Sequence, residues 1–405
     1  MKEIVVLGAG YAGLKTVVLL QKKLKDSVHI TLVDQNDYHY ETTDLHEAAA
    51  GTQSVSKISY HIRDVVKPRI TTFIQAKVVK IDPDNKAVKL AGHDELLHYD
   101  YCVVGLGFVS ETFGVPGAEE NAFPMTNLKQ ASAIYDHIIS KMRDYRKTQN
   151  PDDLHIIICG GGFTGIELAG ALVEARPSYA KLAGVSPAKI KITLVEAATR
   201  LLPMFNEKLA DYGVELIKES NVQLLDGSRI SKIDPGTVYY RHADESQEQS
   251  MNAGTIIWTT GVSGSPLMKE SGFDEKRGRV MVTPHLTDPK HDDVYILGDV
   301  AAVMPPDGKR PYPTTAQIAL AMADYAADDI ATRIKTGEHE EKPFVYKSLG
   351  TVASYGNTKA YGNALGHELR GYPASVMKKL IADRSLMETG GIKELLAKGR
   401  FDLYH

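Results

Sequence analysis

Residues 3–34, EIVVLGAGYAGLKTVVLLQKKLKDSVHITLVD, set a glycine triplet between two apolar runs, and few folds accommodate that arrangement. Glu3–Leu7 is short, apolar and β-branched, as a buried parallel strand is. Gly8, Gly10 and Gly13 follow with the spacing G-x-G-x-x-G, then a helical pattern, then a second strand ending at Asp34. Gly8 permits the tight turn, Gly10 lets the backbone approach a pyrophosphate, and Gly13 lets helix and strand pack closely. The helix N-terminus points free N–H groups at phosphates. Asp34 lies 21 residues past Gly13, close to the ~20 expected of an acid that accepts from a ribose hydroxyl. The alternative, a glycine-rich turn of structural use only, does not account for the acid.

The same pattern recurs. Leu154–Cys159 reads as a strand, Gly160, Gly162 and Gly165 repeat the spacing, a helix-like IELAGALVEA follows, and a strand over 191–195 ends at Glu196. Glu196 is 31 residues past Gly165, the longer gap being assigned to an insertion, ARPSYAKLAGVSPAK. One chain therefore carries two dinucleotide sites. A single acid at the end of the second strand favours the free 2′-hydroxyl of NADH over a 2′-phosphate, with Arg200 near enough in sequence to blunt the preference.

A chain of 405 residues predicts two or three domains. A formal charge of −4 gives no reason to expect nucleic acid. No apolar run approaches the ~18 residues of a spanning helix. The opening strand leaves no room for a signal peptide ahead of it, so none is expected. Cys102 and Cys159 sit in apolar runs, outside any C-x-x-C, and read as small buried hydrophobes. No Cys/His cluster has metal spacing, so no metal site is expected.

Between the two units, 70–100 alternates as a hairpin or meander around Asp82-Pro83-Asp84-Asn85. Residues 35–51 form a polar, aromatic loop, and Phe108–Gly117 reads as a linker. Asn127–Tyr145 and Asn206–Ser220 carry helical periodicity. Val294–Leu297 is a buried strand running into Gly298-Asp299, and a helix begins near Thr315. The fold class is α/β: two Rossmann-like dinucleotide-binding domains with a small C-terminal α/β region. The expected division is 1–113, 114–265, 266–335 and 336–405.

Several stretches carry a resemblance. The two glycine motifs, Tyr101–Gly107, Trp258–Gly261 and Leu297-Gly298-Asp299 resemble the two-dinucleotide-binding flavoproteins over nearly the whole chain. Residues 37–40 (DYHY), 45–47 (LHE), 107–114 (GFVSETFG), 162–167 (GFTGIE) and 312–317 (YPTTAQ) narrow it to the bacterial type II NADH:quinone oxidoreductases. That resemblance implies FAD in the first unit and NADH, the substrate, in the second. It implies FAD contacts from Gly8, Gly10, Tyr11, Ala12, Gly13, Asp34, Gln35 and Val78, from Asp299 at the ribityl chain, and from Ala316 and Gln317 beside the flavin ring. NADH would meet Gly160, Gly162, Gly165 and Glu196. Glu167 would be the active-site acid, against the alternative of a first-turn acid complementing the helix dipole. Gln317 would also touch the quinone, a menaquinone type. Two positions depart from the family pattern: Ala321 replaces the second glutamine of A-Q-x-x-x-Q, and Ala171 stands where relatives often carry Glu.

In the tail, residues 374–386 place Val376, Met377, Leu380 and Ile381 on one face and Lys378 and Lys379 on another. Arg384 falls back toward the apolar side and is expected to snorkel. Ile392, Leu395 and Leu396 repeat the helical spacing. From 374 onward six Lys/Arg face four acids, Asp402 among them. Such a pair of basic amphipathic helices suits an anionic membrane interface. The alternative is docking on the protein's own core or in a homodimer. The resemblance implies peripheral contact with the cytoplasmic side of the cell membrane, near the quinone. Competing activities are a soluble reductase of a ferredoxin-like protein, a thiol-dependent oxidase and a nucleotide-binding sensor. The absence of a cysteine from 35–51 argues against the thiol enzymes.

Overall fold

The computed structural model describes residues 1–401 apart from 246, 307 and 309; Asp402 of the tail lies outside the described residues. The apolar runs without alternation become central parallel strands. Ile4, Val5, Val6 and Leu7 are all at most 2% exposed, as strands covered on both faces must be. Five strands pair in parallel in the order Val294–Ile296, Tyr101–Val104, Lys2–Leu7, Val28–Asp34, Thr71–Gln75. The second unit repeats this with Phe123–Pro124, Thr255–Trp258, His155–Cys159, Lys191–Val195 and Gln223–Leu225.

The repeat extends beyond the glycine motifs. In both units a three-stranded antiparallel meander is inserted before the return strand: Val78–Asp82, Ala87–Leu90 and Leu97–His98 in the first, Ser228–Asp234, Thr237–His242 and Gln249–Asn252 in the second. Each unit has its own apolar core.

Three segments differ from the sequence reading. The stretch read as a linker from Phe108 contains a strand, Phe108–Ser110, which pairs antiparallel with Val262–Gly264. The outgoing and returning chains thus form one ribbon, and the Trp258 indole ties it down by donating to the Glu111 carbonyl at 2.9 Å. The helix Phe163–Ala183 runs straight through Pro177, so much of the expected insertion is helix. The longer gap to Glu196 is largely taken up by a helix of 21 residues against 13 in the first unit. Third, the short helix Leu45–Ala50 belongs by packing to the second unit's core, where Leu45, Ala48 and Ala49 are buried and Tyr179 donates to the Ala50 carbonyl at 2.6 Å.

The C-terminal region is an antiparallel sheet, Gly350–Tyr355, Lys359–Ala364 and His367–Arg370, followed by the helix Tyr372–Lys398, broken at Gly391 by a φ of 76°. Its orientation corrects the sequence reading. Lys379 is 4% exposed and faces inward, as do Ala382, Ser385, Leu386 and Thr389. Leu380, Ile381, Met387, Ile392 and Leu396 face outward. Lys378 also turns inward, into an ion pair with Glu167. Arg384 remains exposed and pairs with Glu388 one turn on. Small and hydrogen-bonding residues, with Leu386, pack inward, and most of the bulky apolar ones are left outside. Among the described residues no helix is long and apolar enough to cross a membrane.

Asn127 caps the helix Leu128–Thr148 by accepting from the Gln130 amide at 3.0 Å. Asn127→Ala is expected to lower the unfolding free energy by ~1 kcal/mol, measured by urea denaturation, with flavin content unchanged.

Candidate active site

The two glycine motifs have the same physical anatomy. Gly8 and Gly160 take positive φ, 95° and 113°, at the strand-to-helix turn. A Cβ on Gly13 would collide with the Gly8 carbonyl oxygen, and one on Gly165 with the Gly160 carbonyl oxygen. Gly10 and Gly162 are different: among the described residues, a Cβ on either meets nothing within 4 Å. No atom of the described residues demands glycine there, so the open space is available to a ligand. Gly10 and Gly162 are also the helix N-caps, with no side-chain cap and no acid in the first turn. The first amides of both helices, including those of Tyr11 and Ala12, are thereby left for an anion.

The acids match as well. Asp34 Oδ2 accepts from the Ala9 amide at 2.7 Å and Oδ1 from the Asn36 amide at 2.8 Å. Glu196 Oε2 accepts from the Gly161 amide at 2.6 Å and Oε1 from the Ala198 amide at 2.8 Å. Each acid therefore braces the middle residue of its own glycine turn. Burial pushes the Asp34 carboxyl up, against the pull of the Ala9 and Asn36 amides. Arg200 is directed to the Phe205 carbonyl at 2.6 Å.

The remaining first-unit residues gather at the same end of the sheet. Gln35 is exposed next to Asp34. Val78 starts the meander strand three residues past Gln75, which pairs with Asp34. The Tyr11 hydroxyl is already engaged, donating to Glu41 at 2.9 Å. A Cβ on Gly298 would touch Ala12 and Ala319, so the Asp299 turn, the opening helix and the helix Ala316–Thr336 converge. Burial raises the Asp299 carboxyl, opposed by Arg279. Thr315 caps the latter helix by accepting from Ile318. Gln317 is locked from the side: its carbonyl oxygen accepts from the Tyr346 hydroxyl at 2.6 Å and the Leu349 amide at 2.8 Å.

Glu167 is 6% exposed and is the fifth residue of its helix, beyond the first turn. The first-turn position expected from sequence is thus corrected, because the helix begins at Phe163. Its Oε1 accepts from Lys378 Nζ at 2.8 Å, the Ser354 amide at 3.0 Å and the Ser354 hydroxyl at 3.1 Å. Oε2 faces His46 Nδ1 at 3.9 Å. Burial alone pushes the Glu167 carboxyl up, but Lys378, His46 and the Ser354 amide outweigh it, and the net direction is down. Burial pushes Lys378 down, Glu167 outweighs it, and the net direction is up. Burial lowers His46. Sequence reasoning missed Lys378 and Ser354 as partners of Glu167, since neither lies in a motif and both are brought in by the C-terminal region.

Ala171 is 2% exposed and Ala321 half-buried. Cys102 and Cys159 are fully buried, and burial raises both thiols, as expected of small core residues.

Residues 2–323 match the family described as pyridine nucleotide-disulphide oxidoreductase. A type II NADH:quinone oxidoreductase of Staphylococcus haemolyticus is 41% identical over 403 residues, covering 99% of both chains. The chain belongs to the type II NADH:quinone oxidoreductases. The family member from Staphylococcus aureus is 40% identical over 404 residues, again with 99% coverage of both. Among solved structures, NDH2 of Plasmodium falciparum in complex with NADH superposes with a TM-score of 0.86 at 17% identity, covering 98% of this chain and 97% of that one. The sulfide:quinone oxidoreductase of Aquifex aeolicus gives 0.77 at 20% identity, covering 96% and 92%. At those identities the superpositions speak for the fold of this type II NADH:quinone oxidoreductase family member, which is the α/β pair of Rossmann-like units expected.

The first unit fits FAD on its own evidence: an open space beside Gly10, uncapped helix amides, and an acid at the ribose position. Gly10→Ala is expected to fold with an unchanged apoprotein melting temperature and to lose FAD. Gly13→Ala is expected to lower the melting temperature itself, because its Cβ meets backbone. Paired calorimetry and flavin absorbance measure both.

Proposed function

We propose that this chain is a single-subunit, non-pumping dehydrogenase that oxidises NADH and reduces a membrane quinone of the menaquinone type, with FAD as its resident cofactor. The observation that carries the reading is the twin cradle: two glycine turns, two braced acids and two open ligand spaces in one chain. The identity to the staphylococcal enzymes over full length supports it. The proposed units are 1–113 with 266–335 for FAD, 114–265 for NADH and 336–405 for the membrane side. The ribbon of Phe108–Ser110 with Val262–Gly264 supports a boundary at that crossing.

FAD contacts are assigned to Gly8, Gly10, Tyr11, Ala12, Gly13, Asp34, Gln35, Val78, Asp299, Ala316 and Gln317, and NADH contacts to Gly160, Gly162, Gly165 and Glu196. FAD supplies the hydride acceptor and the electron donor to the quinone. The protein supplies position and charge. The N-terminus of the helix from Ala316 would present a positive end to the charge that develops on reduction. Glu196, which makes no ion pair among the described residues, with Arg200 turned to the Phe205 carbonyl, suits a free 2′-hydroxyl and hence NADH. Glu167 has one carboxylate oxygen committed to Lys378 and Ser354 and the other without a hydrogen bond among the described residues. That oxygen is assigned to holding the nicotinamide carboxamide or passing a proton toward the quinone. Gln317, fixed by Tyr346 and Leu349, is assigned to the quinone. Ala321, in place of the family's second glutamine, would offer the quinone one polar contact fewer, whereas Ala171 is buried.

Lys378 is a positioning residue for Glu167. A depressed carboxyl stabilises the fold above its unfolded pKa and loses that contribution as pH falls through the folded value. A raised ammonium stabilises below its unfolded pKa and loses the contribution as pH rises through the folded value. The pair therefore acts across the neutral range. In Lys378→Met, burial would dominate and push Glu167 up. Stopped-flow flavin reduction by NADH should then acquire a pH dependence closer to neutrality, absent in Lys378→Met/Glu167→Gln. A flat profile in both would return the pair to a purely structural role.

Peripheral attachment to the cytoplasmic side of the membrane, by a monomer or a homodimer, is supported by the outward Leu380, Ile381, Ile392 and Leu396. Deleting the tail is a poor test, since it removes Lys378. Leu380→Asp/Ile392→Asp/Leu396→Asp keeps the inward face. It is expected to retain NADH-dependent flavin reduction and to stop sedimenting with phosphatidylglycerol vesicles; undiminished sedimentation would remove this surface as the anchor.

A further inference from the structure

The opposite end of the first sheet carries a feature the redox chemistry does not use. A concavity of about 400 Å³ is lined by Gln21, Lys22, Lys25, Lys67, Arg69 and Ile70. Lys22 and Lys25 come from the end of the opening helix and the turn before Val28, Lys67 and Arg69 from the loop that leads into Thr71. The dinucleotide motifs follow Leu7 and Asp34, at the other ends of these strands, so the concavity is separate from both cradles.

We propose that this concavity is a binding site for a phosphate group. Among the described residues, Lys22, Lys25 and Lys67 make no ion pair, and only Arg69 is matched, by Asp26 at 2.6 Å on the exposed rim. Gln21 is 2% exposed. Its carboxamide oxygen accepts from the Lys67 amide at 3.0 Å, which leaves Nε2 as a buried donor with no acceptor. Buried donors are normally satisfied. Lys25 adopts a positive φ of 48°, a conformation uncommon outside glycine and small polar residues. The helix C-terminus attracts cations by itself, which explains Lys22. It does not explain Lys67 and Arg69, brought by another segment, nor the orphan amide of Gln21. Four cations around a concave surface, with an unsatisfied amide donor buried beneath it, suit the oxygens of a phosphate, free in solution or on a lipid headgroup.

The test uses FAD-loaded protein saturated with NAD⁺, so that both cradles are filled. Equilibrium dialysis with labelled inorganic phosphate at physiological ionic strength should show one saturable site. Lys22→Gln/Lys67→Gln should weaken it about tenfold, Lys22→Arg/Lys67→Arg should restore it, and Lys208→Gln/Lys218→Gln, equal in charge on a distant helix, should leave it intact. NADH oxidation should be the same in all four proteins. Vesicle sedimentation distinguishes the source. Loss of phosphatidylglycerol binding in the Lys22/Lys67 glutamine variant alone assigns a lipid headgroup, and loss in dialysis alone assigns free phosphate. Identical behaviour of the two glutamine variants in both assays would overturn the proposal, as would an absence of saturable phosphate binding with no vesicle difference.

Discussion

A helix that meets its strand backbone to backbone, with no side chain between them, is the contact on which this structure depends. Gly13 lies against the carbonyl of Gly8, and Gly165 against that of Gly160, each so closely that a methyl group would not fit. The contact sets the helix N-terminus beyond the strand end and aims its free amides at one point. It also brings the acid at the end of the neighbouring strand within reach of the glycine turn, where Asp34 and Glu196 accept from Ala9 and Gly161. Once that geometry exists, the open space beside Gly10 and Gly162 follows.

Two such cradles are of use to each other only if their relation is fixed. The ribbon between Phe108–Ser110 and Val262–Gly264 fixes it from one side, and the C-terminal region from the other. The terminal helix touches the second unit through Lys378 on Glu167 and the first through Ser385 on Glu41 (2.8 Å), Thr389 on the Tyr60 hydroxyl (2.8 Å) and Glu388 on Lys15 (2.8 Å). Arg400 adds a pair with Glu47 at 3.0 Å. Buried ion pairs are weak evidence of net stability, because desolvation opposes the attraction. Their effect here is positional: each bond specifies where the helix sits relative to a cradle.

Much of this was legible in the sequence. Strand, glycine triplet, helix, strand and acid recur in order because a dinucleotide cradle needs each of them at that spacing, and the structure places Gly8 through Asp34 and Gly160 through Glu196 accordingly. What was not legible depended on partners distant in sequence. Helical periodicity identified two faces in the tail but not which one turns inward. The lysine side was expected at a surface, yet Lys378 and Lys379 are inside because Glu167 and the second unit's helix receive them. The helix from Phe163 was expected to stop before Pro177, since proline disfavours a helix interior, and tertiary packing around Tyr179 carried it on. Leu45–Ala50 precedes the proposed crossing at 113 yet packs with the second unit, which no local pattern announces.

The most direct measurement is steady-state NADH oxidation by the FAD-loaded protein on lipid vesicles, with a naphthoquinone, a benzoquinone, a ferredoxin and dioxygen each as sole acceptor. The twin cradles and the clasp around Glu167 predict rapid, saturable turnover with a quinone and slow turnover with ferredoxin and dioxygen. Fast flavin reduction with negligible quinone turnover, and a ferredoxin that restores it, would contradict the assignment of the acceptor.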